Sequence, residues 1–192
     1  MSSLSLYAIV LAAGRSSRFG STKQLALCEG EPLVTRAVRS AEDLCGSQTL
    51  LVTGNDWRKV AAACEPMQGF IVHNPRYADG IASSIAHGVR GISPVADAVL
   101  LLLADQPRIS VEHLRSLANA WASSPASICA SEYAGTQGPP IIFPAAYFSE
   151  LMALQGDRGA KAVLGSSGAK VITIPCEAAA IDIDTPEDLG NN

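Results

Sequence analysis

Apolar and polar positions along the chain switch repeatedly between two periods. Residues 7–11 form a short apolar run ending at Ala12, Ala13 and Gly14, the pattern of a buried strand entering a loop. From Pro32 onward, Leu33, Val34, Ala37, Val38, Ala41 and Leu44 recur at helical spacing, so a helix with one inward face is expected. Residues 50–53 then fit a strand, 56–64 a helix and 70–73 a strand, and the pattern predicts a helix from near Ile81 to about Val89. The run 99–103 is the most hydrophobic in the chain, too short for an independent helix and flanked by Asp97 and Asp105. A central strand covered on both faces accounts for it. Ser110 stands where it would cap a helix whose inward stripe is Val111, Leu114, Leu117, Ala118 and Trp121. Further strands are expected at 127–130, near 141–143, at 171–174 and at 181–183, with helices at 145–154 and 159–164.

Such alternation gives an α/β fold with a parallel or mostly parallel sheet and helices on both faces. Nothing between 1 and 192 looks like a linker, a low-complexity tract or an internal repeat, so one domain is expected. Ligands of these sheets bind beyond the carboxyl ends of the strands, here the loops 12–23, 105–107 and 182–186.

Composition narrows the partners. The chain has 192 residues, 48% of them hydrophobic, with 14 basic and 18 acidic side chains, a net charge of −4 and a mean hydropathy of +0.21. That apolar content excludes a disordered chain and suits a sizeable core. Uninterrupted apolar runs such as 98–104 fall far short of the roughly 20 residues that a bilayer-crossing helix needs. No basic segment precedes an apolar one at the amino end, so no secretory signal and a cytoplasmic location are expected. The cysteines at 28, 45, 64, 129 and 176 contain no Cys-x-x-Cys pair, as expected of buried thiols in a reducing compartment. Mild acidity and 5% aromatics leave no nucleic-acid footprint, and a small diffusible partner fits better than a polymer.

Candidate chemistry concentrates in three places. Between Leu11 and Lys23, Gly14 and Gly20 permit positive φ and close backbone approach, and Arg15, Arg18 and Lys23 stand among Ser16, Ser17, Ser21 and Thr22. No acid lies close in sequence to pair these cations. The mixture suits a triphosphate, although a solvated Ser/Gly loop has the same composition. It is neither a Walker A loop nor a Gly-x-Gly-x-x-Gly fingerprint. Asp105, at the end of the most apolar strand, suits either Mg²⁺ held against phosphate oxygens or a turn before Pro107. In 181–189, alternation puts Asp182 and Asp184 on one strand face, whereas Thr185, Pro186 and the acids that follow also make a helix start. Ser83 and Ser84 follow Asp79 and Gly80 at a helix start whose amides could meet a ligand. His73, His87 and His113 have no partner at metal-ligand spacing.

Together these segments carry a resemblance. Leu-Ala-Ala-Gly-Arg-Ser-Ser-Arg-Phe-Gly-Ser-Thr-Lys-Gln-Leu at 11–25 resembles the signature of nucleotidyltransferases with a glycosyltransferase-A-like fold, a Rossmann-like three-layer α/β/α sandwich. Leu-Leu-Leu-Ala-Asp-Gln-Pro at 101–107, Gly-Pro-Pro-Ile-Ile-Phe at 138–143, Gly-Asp-Arg-Gly-Ala-Lys at 156–161 and Asp-Ile-Asp-Thr-Pro-Glu-Asp-Leu at 182–189 extend it over the whole chain. The chain most resembles the MocA-like molybdopterin cytidylyltransferases, with the MobA-like guanylyltransferases next. The resemblance implies transfer of CMP from CTP to a molybdopterin-type cofactor, with Mg²⁺ and release of pyrophosphate. It implies that Ala12, Ala13, Gly14 and Arg15 border the nucleotide and that Asp79 and Ser84 meet its base or ribose. Arg18 and Lys23 would hold the triphosphate, Asp105 and Asp184 would ligate Mg²⁺, and Gly138, Pro139, Pro140 and Arg158 would meet the acceptor. A molybdenum hydroxylase receiving the product is the implied protein partner. Phe19 departs from the Met of many relatives, and Ala13 replaces the second Gly of the guanylyltransferase branch. Competing readings are that guanylyltransferase, an oxidoreductase with a nucleotide cofactor, for which the glycine fingerprint is missing, and a non-catalytic carrier delivering cofactor to molybdenum enzymes.

Overall fold

The computed structural model describes residues 4–16, 19–165, 168–183 and 185–191. In chain order the elements are β1 (Leu6–Ala12), β2 (Leu27–Cys28), β3 (Glu31–Pro32), α1 (Leu33–Cys45), β4 (Thr49–Thr53), α2 (Trp57–Cys64), β5 (Phe70–His73) and α3 (Ile81–Ile92). There follow β6 (Ala98–Leu103), α4 (Val111–Ser123), β7 (Ile128–Tyr133), β8 (Thr136–Pro144), α5 (Phe148–Met152), α6 (Lys161–Leu164) and β9 (Val171–Pro175). Seven strands form one sheet in the order β5-β4-β1-β6-β8-β7-β9, and β2 and β3 make a separate small hairpin. All sheet pairs are parallel except those of β8, which runs antiparallel to both β6 and β7.

The strand period of two divides the core into two layers. Ala8, Val10 and Ala12 of β1, with Leu100 and Leu102 of β6, pack against α1, α2 and α4 through Val34, Val38, Val60, Leu114 and Leu117. Ile9 and Leu11, with Val99 and Leu101, pack against α3, α5 and α6 through Ile85, Val89, Phe148 and Val163. A strand covered on both faces has no position for a polar residue, which explains the uninterrupted run at 99–103. Ser110 caps α4, its hydroxyl accepting from the His113 amide at 3.2 Å. The result is the expected mostly parallel sheet between two helical layers. Among the described residues no helix is long and apolar enough to cross a membrane.

Three expectations are corrected. Residues 181–183 form no strand; Ile183 makes a single ladder-like bond, its amide donating to Asp105 O at 3.0 Å, and its fully buried side chain packs with Phe19, Cys28 and Leu33. The edges this segment would need are occupied, since β6 pairs with β1 and β8 while β7 pairs with β8 and β9. Asp184, and with it the expected face shared with Asp182, lies outside the described residues. β8 is much longer than 141–143: Gly138, Pro139 and Pro140 lie inside it, and the β7–β8 register passes from Ala130↔Ile141 to Ser131↔Gly138. The two prolines, joined by a cis peptide, thus fall in the irregularity, where no ladder donor is required. The helix expected at 145–154 is a 3-10 turn at Ala145–Tyr147 followed by α5.

Candidate active site

The register of β1 on β6 sets the site. Leu11 pairs with Leu103, and the Ala104 amide donates to Leu11 O at 3.2 Å, so the loops after both strands leave the sheet side by side. They open onto a cavity of about 660 Å³, within the usual range for a small-molecule site. Ala13, Gly14, Arg15, Lys23, Asp79, Ser84 and Asp105 line it. Ala12, the last residue of β1, is buried beneath it. Arg18 lies outside the described residues, as does Asp184.

The glycine-containing loop is held by its own polar side chains. Gln24, 5% exposed, donates through Nε2 to Gly14 O at 3.1 Å, and its Oε1 accepts from the Ser16 hydroxyl at 3.2 Å. Ser16 Oγ also accepts from the Lys23 amide at 3.0 Å. Positive φ falls on Ser16 (52°) and Gly20 (75°), and Gly14 does not need it. Thr22 Oγ1 donates to Asp56 Oδ2, tying the end of the loop to the start of α2. That bond, more than neighbouring Lys59, holds the Asp56 carboxyl below its ordinary pKa.

Lys23 is not the unpaired cation its sequence neighbours suggest. Its Nζ lies 2.6 Å from Asp105 Oδ2, with the two side chains 13% and 27% exposed. Asp105 Oδ1 is buried and has no hydrogen-bond partner among the described residues. Among the described residues neither oxygen accepts a backbone amide, so nothing supports a capping role. A buried oxygen lacking a donor is a place for a cation, and Mg²⁺ is commonly held by one or two carboxylates together with substrate phosphates. Asp105 fits that chemistry. Among the described residues no group of three or more His, Cys, Asp or Glu is arranged to hold a metal ion by itself.

A second wall comes from the start of α3. Asn74, 2% exposed, donates through Nδ2 to both Ser83 Oγ and Ser84 Oγ at 3.0 Å, which fixes Ser84 and leaves its proton to point elsewhere. Asp79 Oδ2 is 2.9 Å from Arg76 Nε. Gly80 takes φ +99°, and a Cβ there would stand 2.3 Å from Gly156 O, so only glycine lets these backbones meet. Gly156 O in turn accepts from the Ala82 amide at 3.1 Å. This contact brings Asp157 into the lining.

The residues expected to meet the acceptor are not among those lining the cavity. Arg158 is exposed beside Asp157. Gly138 packs against Tyr133, whose hydroxyl would be 2.0 Å from a Cβ at that position, and Pro140 lines a separate hollow of about 10 Å³. Sequence reasoning missed Gln24 and Asp157. Gln24 is the one amide in a hydroxyl-rich stretch, and Asp157 sits beside a glycine, which were the available signals.

Comparison with known proteins identifies the family. The family model described as MobA-like NTP transferase domain matches residues 8–171. The purine catabolism protein PucB of Bacillus subtilis is 32% identical over 194 residues, covering 95% of this chain and 93% of that protein. The molybdenum cofactor cytidylyltransferase of Escherichia coli is 24% identical over 182 residues, covering 94% and 92%. Among solved structures, Rv0371c of Mycobacterium tuberculosis superposes with a TM-score of 0.82 at 26% identity, covering 100% of this chain and 98% of that one. A further structure of Rv0371c is a complex with manganese, with a TM-score of 0.78 at 24% identity and coverage of 99% and 98%.

Proposed function

The chain belongs to the MobA-like NTP transferase family, and from that premise we propose that it transfers CMP from CTP to a molybdopterin-type cofactor, releasing pyrophosphate. The observation that carries the reading is the Lys23–Asp105 pair at 2.6 Å on the cavity wall, with Asp105 Oδ1 buried and unpartnered. A lysine and a hard carboxylate oxygen side by side suit a polyphosphate and its divalent cation, and give little to a hydride-transfer site. The whole-length likeness to a molybdenum cofactor cytidylyltransferase supports the acceptor.

In the proposed reaction the terminal phosphate oxygen of the acceptor attacks the α-phosphorus of CTP. A new P–O bond forms as the bond from the α-phosphorus to the α,β-bridging oxygen breaks, and the electron pair leaves with pyrophosphate. Such transfers depend on positioning and charge neutralisation, so no nucleophilic side chain is needed. Lys23 Nζ donates to the departing phosphates, and Arg18, at the other side of Phe19 in sequence, shares that role. The backbone of Ala12, Ala13 and Gly14 borders the cytidine, with Arg15 beside it, and Asp79 and Ser84 complete the nucleotide wall. Asp105 is the residue that would hold Mg²⁺, with Asp184 as a second ligand, and when bound the ion neutralises charge on the phosphates. On the acceptor side Arg158 is an exposed cation available to a phosphorylated ligand, and Gly138, Pro139 and Pro140 are the further residues assigned to the acceptor.

CTP is favoured over GTP because Ala13 lines the cavity and carries a Cβ that narrows the space beside the base. Pyrophosphate release by the purified protein with each nucleoside triphosphate, Mg²⁺ and purified molybdenum cofactor tests the proposal. Release with CTP in a cofactor-dependent manner is expected. Equal use of CTP and GTP would move the reading to the guanylyltransferase branch, and absence of release with every nucleotide would end it.

A further inference from the structure

We propose that Asp157 selects the nucleobase, its carboxylate accepting hydrogen bonds from an exocyclic amino group and opposing a base with a carbonyl at that edge. The proposal rests on the nucleotide-binding part of the reading above and adds a specificity residue to it. Its starting point is the distribution of charge around the cavity. The loop wall carries Arg15 and the Lys23–Asp105 pair, a net positive charge, while the wall at the start of α3 carries Asp157 and the Asp79 that Arg76 pairs, a net negative charge, on either side of Gly80. A polyphosphate is drawn to the first wall and repelled from the second, so an extended nucleotide turns its base toward Asp157.

The two carboxylates on that wall differ in commitment. Asp79 is engaged by Arg76 at 2.9 Å, whereas Asp157 makes no hydrogen bond or ion pair among the described residues. Its position is nonetheless built. The 3.1 Å bond from the Ala82 amide to Gly156 O pins the turn to α3, and Asp157 Oδ1 lies over the Gly80 backbone, 2.7 Å from where a Cβ would stand. An ionised carboxylate only accepts hydrogen bonds. The cytosine 4-amino group is a donor, and the uracil O4 that replaces it is an acceptor. Asp157 therefore discriminates between these two pyrimidines, whereas it accepts the amino group of a purine as readily. Purine exclusion is left to Ala13.

Titration calorimetry of the full chain with CTP and with UTP, in Mg²⁺, tests the assignment. The unmodified protein should bind CTP about 10- to 100-fold more tightly than UTP, the range for one hydrogen bond to a charged group. Asp157→Asn, whose amide can turn to donate to O4, should bring the two affinities within about threefold of each other. Asp157→Ala should do the same by weakening CTP. Removing a negative charge raises the affinity of every triphosphate, but that effect cancels in the CTP/UTP ratio. A ratio unchanged in both variants, or an unmodified protein indifferent to the pyrimidine, would overturn the assignment while leaving nucleotide binding intact. Failure of the unmodified protein to bind any triphosphate would instead overturn both this assignment and the reading beneath it.

Discussion

Asp105→Asn separates the chemistry of the site from its scaffold. The substitution keeps shape and removes one charge from a pair at 2.6 Å. With an effective dielectric constant of about 20, the direct attraction at that separation is about 6 kcal/mol. Desolvation and side-chain ordering offset most of it, and partial exposure of both groups leaves a net contribution of about 1 kcal/mol. For a chain of this size the melting temperature should fall by about 2–4 °C. Backbone contacts survive, because Ile183 bonds to the Asp105 carbonyl rather than to its carboxylate. The catalytic loss should be far larger. Replacing an anionic ligand by a neutral amide on the atom that the buried site leaves unpartnered should lower kcat/KM by on the order of 10² or more. The Mg²⁺ concentration for half-maximal activity should rise with it. Pyrophosphate release at several Mg²⁺ concentrations and differential scanning fluorimetry, on the same preparation, give both numbers. Activity within about threefold of the unmodified protein, with unaltered Mg²⁺ dependence, would refute the reasoning and return Asp105 to a turn residue.

Lys23→Ala should lower kcat/KM by on the order of 10² while circular dichroism stays unchanged, because the side chain contributes little to the core; normal turnover would remove it from the site. Ala13→Gly should relax the preference for CTP, expected at roughly 10- to 200-fold over GTP, without inverting it, as read in a competition between the two nucleotides with limiting enzyme. Burial lowers the His113 pKa below 6.5, and burial with nearby Arg90 and His73 does the same for His87. The unfolded chain then binds more protons, so stability should fall as pH drops through 6.5 toward the folded pKa values. Urea midpoints at pH 7.5 and pH 5.5 should show that loss, and His113→Gln should reduce it.

Much of the architecture was legible because burial imposes a simple period. The apolar stripe of α1, the cap of α4 and the unbroken run of β6 each express one physical requirement, and each element formed within a residue or two of its expected bounds. Ile181, Asp182 and Ile183 alternate like a half-buried strand, yet pattern alone does not say whether a sheet edge is vacant. Gly138, Pro139 and Pro140 gave the opposite error, since residues that usually mark a turn here occupy an irregularity within a long strand. At the site, Lys23 and Asp105 were legible separately. Their pairing across 82 residues was not, because it depends on the register of β1 against β6. Asp157 escaped for a similar reason: only the contact of Gly156 with α3 carries it to the cavity.

The two walls of the cavity have different origins in the fold. Lys23 and Asp105 follow β1 and β6, adjacent central strands whose side chains are buried on both faces, so their relative position is tied to the most stable part of the structure. Asp79, Ser84 and Asp157 belong to the start of α3 and to a turn joined to it by one backbone bond and a glycine contact. A change at Asp157 alters which base is accepted at little cost to the core, whereas a change at Lys23 or Asp105 alters the handling of phosphate for every substrate. On this arrangement specificity can diverge while the transfer chemistry stays fixed. Substitutions at Asp157 should therefore move affinity ratios between nucleotides, and substitutions at Lys23 or Asp105 should lower turnover with all of them alike.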